Sequence, residues 1–316
     1  MRKKIKVVIL LVVLLLGFFL LRDFFIKSLV GSVAAKITGA PVSVGGLSLS
    51  LIKQSIKISN FRMYNPEGFP KEILVDIPKI GAVLDSGALL TGKLHLKELE
   101  LDISELGMMK NKEGKLNVDS LKVAEKSEGK EEKEGGKQLA MQIDVLSLGM
   151  GRVVSVDYSV KGQPVIKVYD INLKKTYKNI TSAQQLVALM ISEPLKAAGI
   201  QGLKVYGVST LAGVAALPVV AAFTFTGKDY AQETFNVPQQ KAYDAGLAAL
   251  KMSGKVKRED KVGGVINAEI NGVGVTFRTR KISEKSTQVT IVARKFGLPK
   301  PEIASGVMYR LREQLK

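Results

Sequence analysis

Residues 42–58 read VSVGGLSLSLIKQSIKI. Val42 and Val44, then Leu47, Leu49 and Leu51, then Ile56 and Ile58, alternate with Ser, Gly, Gln and Lys. Successive side chains of a strand point to opposite sides of the pleat, so a period of two predicts strands with one apolar face. Gly45-Gly46 moves the apolar phase by one residue, as a bulge does. The run ends at Asn65-Pro66-Glu67-Gly68, with Pro at the second and Gly at the fourth position of a type I turn. Ile73/Val75/Ile77 and Ile80/Ala82/Leu84 resume the alternation, and Pro78 between them predicts an edge or a bend. Leu94/Leu96 and Leu99/Leu101/Ile103 continue it with a phase slip at Lys97-Glu98. Further short strands are expected at Met141–Val145, Val154–Tyr158 and Tyr169–Leu173.

A helix capped by Thr181 or Ser182 is expected to run to Ala198. The last part of the chain reads as a separate α+β unit. It has a helix over Pro238–Met252, strands near Gly254–Arg258, Val265–Ile270, Val273–Lys281 and Gln288–Ala293, and a closing helix over Pro301–Leu315. About ten short strands with one apolar face each, and so few helices, must close, stack or cover that face with something else.

The N-terminus is the clearest targeting signal. Four positive charges in MRKKIK precede Val7–Leu21, fifteen residues without a charge. Ser-Val-Ala at 32–34 is a poor cleavage site because it lies well beyond the apolar run, so the segment is read as an uncleaved signal anchor. The positive-inside rule then places the bulk of the chain across a cytoplasmic membrane. Residues 122–138 are a charged low-complexity linker, expected to be disordered. Val205–Gly227 is a second charge-free run, rich in Gly, Ala and Val and interrupted by Pro218. It fits three placements: across the membrane, along its interface, or over an open sheet edge.

Composition excludes much chemistry. The chain has no cysteine and one histidine, so disulfides, thiol catalysis and cysteine-ligated zinc are absent. His95 lies between Leu94 and Leu96 and is expected to face solvent. Gly272-Val273-Gly274 lacks the third glycine of a dinucleotide loop and sits between strands. The net charge of +18 comes from Lys and Arg dispersed along strands and loops. With no tryptophan and 6% aromatics, base-stacking platforms are not evident. The basic excess fits solubility and anionic headgroups better than nucleic acid.

Residues 1–121 resemble the N-terminal region of the AsmA family. The resemblance rests on the anchor followed by Pro41-Val42-Ser43-Val44, the Asn65-Pro66-Glu67-Gly68-Phe69 turn, the small-residue loop at Leu84–Gly92, the Lys93–Ile103 strand and Gly114-Lys-Leu-Asn-Val118. Residues 140–200 follow it more loosely. The resemblance implies a chorein-like, U-shaped antiparallel β-groove lined by apolar residues, on the periplasmic side of an inner membrane. It implies phospholipid transport and envelope homeostasis, and no catalytic residues. A groove of ten to twelve strands would span roughly 50–60 Å, short for a bridge between two membranes. The tail from Phe235 resembles a family of small bacterial lipoproteins of unknown function, on NVPQQKAYDAGLAALKMSG, GGVINAEINGVGVTFRTRK and STQVTIVARKFG, although no cysteine is present to carry a lipid.

The expected fold is therefore mainly β with some α. Residues 1–26 are the anchor, 27–200 the groove domain, 201–229 an apolar helical segment and 230–316 a small α+β domain. Lipid contact is assigned to one alternating face: Leu47, Leu49, Leu51, Ile56, Ile58, Ile73, Val75 and Ile77. Which face lies inside depends on the pleat, and each bulge swaps it. Asn65, Pro66, Gly68 and Phe69 are read as structural turn residues. The function expected is that of a lipid-binding or lipid-transfer protein, with membrane phospholipids as partners, other envelope proteins as further candidates, and no nucleic acid, metal or cofactor. The alternative is a non-catalytic envelope scaffold that docks partners on its sheet.

Overall fold

The computed structural model describes residues 27–28, 30–50, 52–91, 93–122, 141–200, 213–216 and 229–316. Helix α1 (30–38) leads into β1 (Val42–Ser50), β2 (Ser55–Tyr64), β3 (Ile73–Leu84), α2 (Ser86–Leu90) and β4 (Leu94–Lys110). Next come a 3-10 turn at Val118–Ser120, β5 (Met141–Asp157), β6 (Val165–Ile180), α3 (Ala183–Ala197) and β7 (Ala215–Ala216). The tail holds β8 (Tyr230–Phe235), α4 (Gln239–Lys251), β9 (Lys255–Asp260), β10 (Val265–Ile270), β11 (Val273–Ser283), β12 (Ser286–Lys295), β13 (Leu298–Pro299) and α5 (Pro301–Leu315).

The strands form two sheets. The first has seven strands in sequence order, β1 to β7; the second has six, ordered β13-β12-β11-β10-β9, with β8 also pairing β12. The first is not wholly antiparallel. β4 and β5 run parallel, from Leu94 beside Met141 to Lys110 beside Asp157. A tight hairpin cannot join parallel neighbours, so the charged segment belongs to the crossover between them. The short strands expected at Met141–Val145 and Val154–Tyr158 are two ends of the single β5. Seven strands at their usual spacing span roughly 29 Å, half the width expected from counting every strand into one groove.

Among the described residues no helix is long and apolar enough to cross a membrane. The expected anchor lies outside the described residues, as do most of linker 122–138 and most of Val205–Gly227. Two residues of that run, Ala215 and Ala216, pair with Lys178 and Tyr177 on the edge of β6.

The apolar phase is kept by a concerted inversion. Val44 is buried and Leu47 packs against the same core, although three residues along a flat strand would put them on opposite faces. Gly45 stands opposite the bend at Asn60, which takes a left-handed φ of +51°. A Cβ on Gly45 would meet Asn60. β3 makes the same change next to Pro78, because Ile77 and Ile80 are both buried. The second slip is a bulge at Lys97, where the register moves from Val83/Glu98 to Leu84/Leu96. α3 begins at Ser182, whose Oγ accepts from the Gln185 amide at 3.1 Å, while Gln185 Oε1 accepts from the Thr181 amide at 2.8 Å. These reciprocal caps resemble a capping box.

The second sheet packs one face on α4 and α5. Phe277, Ile266, Val289, Ile291 and Ala293 are fully buried there. A Cβ at Gly246 of α4 would overlap the Phe277 ring, so the missing side chain lets the helix sit on the sheet. α5 also joins the two units. Gly306 brings it against the Ile166 carbonyl of β6. Arg310 donates to the Pro164 carbonyl at 3.1 Å, and the Tyr309 hydroxyl donates to Glu105 Oε1 at 3.3 Å. Glu105 is itself held by Arg152 at 2.7 Å.

Candidate functional site on the seven-stranded sheet

The strand registers align the candidate lipid-facing residues in rows that cross the sheet. One row runs Leu49–Ile56–Ala82–Leu99–Leu146; the next runs Leu47–Ile58–Ile80–Leu101–Leu148. Exposure is graded along them. Leu146 and Leu148 on β5 are 0% and 1% exposed, Leu99 and Leu101 on β4 6% and 4%. Leu49, Leu47, Ile56 and Ala82 are only half-buried, packed against the core from its margin. The gradient follows the helices. α3 lies over β5 and β6 and inserts Val187, Ile191 and Leu195 into this core.

The sequence assigned eight residues to one lipid-facing surface, and the structure divides them. Val75 and Ile77 are 0% and 1% exposed and Ile58 is 9%, so they are core and not the lining of an open groove. Leu47, Leu49 and Ile56 stay at its half-buried edge, Ile73 is half-buried, and Leu51 lies outside the described residues. The physical reason is that periodicity assigns a face but not what covers it. Ser48 and Lys57, on the opposite face of the same strands, are exposed.

The turn residues and the Gly114-Lys-Leu-Asn-Val118 motif meet in space. Asn117 is fully buried and Asn65 is 4% exposed. The Asn117 side-chain amide donates to Asn65 Oδ1 at 2.7 Å and to the Gly107 carbonyl at 2.8 Å. Asn117 Oδ1 accepts from the amides of Met109 and Val118, each at 2.9 Å. Asn65 donates onward to the Pro70 carbonyl at 2.9 Å, across its own turn. Pro66 is buried, and Phe69 packs against Met109, Val154, Val156 and Val168. Gly68 takes φ +89°, so glycine supplies a left-handed residue in this turn, which the type I reading does not use. Sequence reasoning found both segments and missed their contact, because no local pattern links positions 65 and 117.

His95 does not simply face solvent. Its Nε2 lies 2.9 Å from Asp144 Oδ2 and its Nδ1 3.4 Å from Asp85 Oδ2. Hydrogen bonds from the Ala88 amide above all, then from Gly87, hold the Asp85 carboxyl below its usual value. Partial desolvation pushes Asp144 up, but bonds from His95 and Gln142 outweigh it and the net shift is down. Among the described residues no group of three His, Asp or Glu side chains is placed to hold a metal ion.

A second polar insertion lies under α3. Glu193 is 8% exposed and is bonded by Lys175 at 2.7 Å and Lys196 at 3.2 Å. Burial pushes its carboxyl up, and Lys175 above all, with the Tyr177 hydroxyl and Lys196, more than reverses this. Burial, then the adjacent Glu193, raises the Tyr177 hydroxyl far above its usual value. The arrangement pins one carboxylate between two cations and presents no nucleophile.

No known family model matches the chain, and no characterised protein matches it in sequence.

Proposed function

We propose that this chain is a lipid-binding or lipid-transfer protein of the AsmA type, anchored in an inner membrane by Val7–Leu21, facing the periplasm and serving envelope homeostasis without a catalytic step. The observation that carries the reading is the graded apolar face. A continuous row of Leu, Ile and Ala side chains passes from full burial at β5 to half-burial at Leu47, Leu49 and Ile56. An acyl chain laid along that margin would extend the core without displacing it. About 0.8 kcal/mol per buried methylene is the driving force for such a contact. A sheet of roughly 29 Å suits holding or handing on lipid close to one membrane, not bridging two.

The test is photo-crosslinking in cells, with a photoreactive residue replacing Leu49 or Ile56 and, as controls, Ser48 or Lys57. Phospholipid adducts at the first pair and not at the second are expected. Protein adducts at the first pair, without lipid, would sink the reading. They would favour a scaffold that docks partners by adding a strand, a second reading supported by β1, whose only strand partner among the described residues is β2.

A further inference from the structure

Two tight turns project side by side from one end of the second sheet, and only one has the expected residues. Asn271-Gly272 joins Ile270 to Val273, with φ of +49° and +74°. Phe296-Gly297 joins Lys295 to Leu298, with φ of +51° and +80°. Both are two-residue hairpin loops with left-handed central residues, the conformation that favours Asn-Gly. A phenylalanine at the first position is a costly choice, since its Cβ crowds the backbone there. Nor does burial compensate: Phe296 is 94% exposed and its neighbour Leu298 66%. Strain accepted at an exposed aromatic residue points to a role outside the fold.

The surroundings are consistent. The turn is braced by Arg294, which donates to the Gly297 carbonyl at 3.1 Å. Lys295 lies 5.9 Å from the Phe296 ring centroid. Lys251 and Lys255 stand at the same end, where α4 gives way to β9, beside exposed Met252, and Lys300 precedes α5. The acids there are few. Asp229 lies 3.9 Å from Arg294, Glu269 pairs with Lys257 at 3.0 Å, and Glu302 opens α5. The chain enters this end from the charge-free run Val205–Gly227: Asp229 directly precedes Tyr230, which pairs with Val292 next to the tip.

We propose that the Phe296–Leu298 tip is a membrane-contact site, by which the C-terminal unit dips an aromatic and an aliphatic side chain into an anionic bilayer surface. Lys295, Lys300, Lys251 and Lys255 meet the headgroups, and the ring sits at the headgroup boundary. This does not depend on lipid binding by the first sheet, and the two are tested at different residues.

The chain has no tryptophan, so a single Phe296→Trp substitution is a clean probe. Val262→Trp, at the opposite end of the sheet where Val262 is 99% exposed, is the control. The full chain is reconstituted into vesicles containing phosphatidylglycerol with and without brominated acyl chains. Blue-shifted emission quenched by the brominated lipid is expected for F296W and not for V262W. Adding Lys295→Gln and Lys300→Gln to F296W should cut the quenched population by about fivefold per residue removed. Equal, unquenched emission from both probes overturns the proposal. So does a blue shift of F296W that appears in amphipol without vesicles and grows with protein concentration, which would seat the tip in a second copy. Phe296→Asn, which suits the left-handed turn, should raise Tm while abolishing quenching of a Leu298→Trp reporter; quenching retained would again overturn it.

Discussion

The two sheets solve the same problem to different degrees. In the second, the apolar residues of β10 to β12 are buried in one core with α4 and α5, and the fit is tight enough to require glycine at 246. In the first, closure is complete at β5 and fades toward β1, and the core admits Asn65, Asn117 and Glu193. A sheet gains stability from the apolar area its neighbours cover, so a strand without a helix above it keeps a half-wet face. The second unit's apolar face is therefore sealed, with Val160 and Val165 from the first unit joining its core, whereas the first has a margin for another apolar surface.

The largest expected effect tests the finished unit. Phe277→Ala removes a fully buried ring and should cost about 3–5 kcal/mol, read as lost hydrogen-exchange protection in β10 to β12. Within the first sheet, Leu99→Ala should cost about 2–4 kcal/mol, and Leu49→Ala, at the margin of the same row, less than about 1 kcal/mol by thermal or urea unfolding. Equal costs would remove the gradient on which the lipid reading stands. Asn117→Ala removes the bonds that Asn117 makes to Asn65 Oδ1, the Gly107 carbonyl and the Met109 and Val118 amides. A loss of about 2–3 kcal/mol is expected, with faster exchange at Met109 and Val118.

The smallest effect is electrostatic. Glu193 is held below its ordinary pKa, so its folded-state contribution is full above the ordinary glutamate value of 4.5 and is lost as pH falls through its lower native value. Glu193→Gln should cost about 1 kcal/mol at neutral pH, a modest figure because Lys175 and Lys196 remain partly solvated. The difference from the parent protein should vanish at acid pH. A constant difference across the acid range would remove the carboxylate's charge from the account.

Sequence by itself determined the local features. Alternation located β1 to β4, the Lys97 bulge and the Gly45 inversion, and the capping residues offered Thr181 or Ser182 as the start of α3, of which the structure uses Ser182. The helix–meander–helix of the tail was legible to within a few residues at the ends, because turn chemistry and periodicity act over neighbouring residues. The strand Tyr230–Phe235 was missed, since YAQETF has too few apolar residues to advertise a buried face. Tertiary structure alone decided the parallel pairing of β4 with β5, the meeting of Asn65 with Asn117 and the placing of His95 between Asp85 and Asp144. It alone decided which residues of one apolar face are core and which are margin. Val75 and Leu49 carry the same signal in sequence, yet one is sealed and the other half-open. Burial depends on which distant element packs above a strand, and that is a property of pairs of segments.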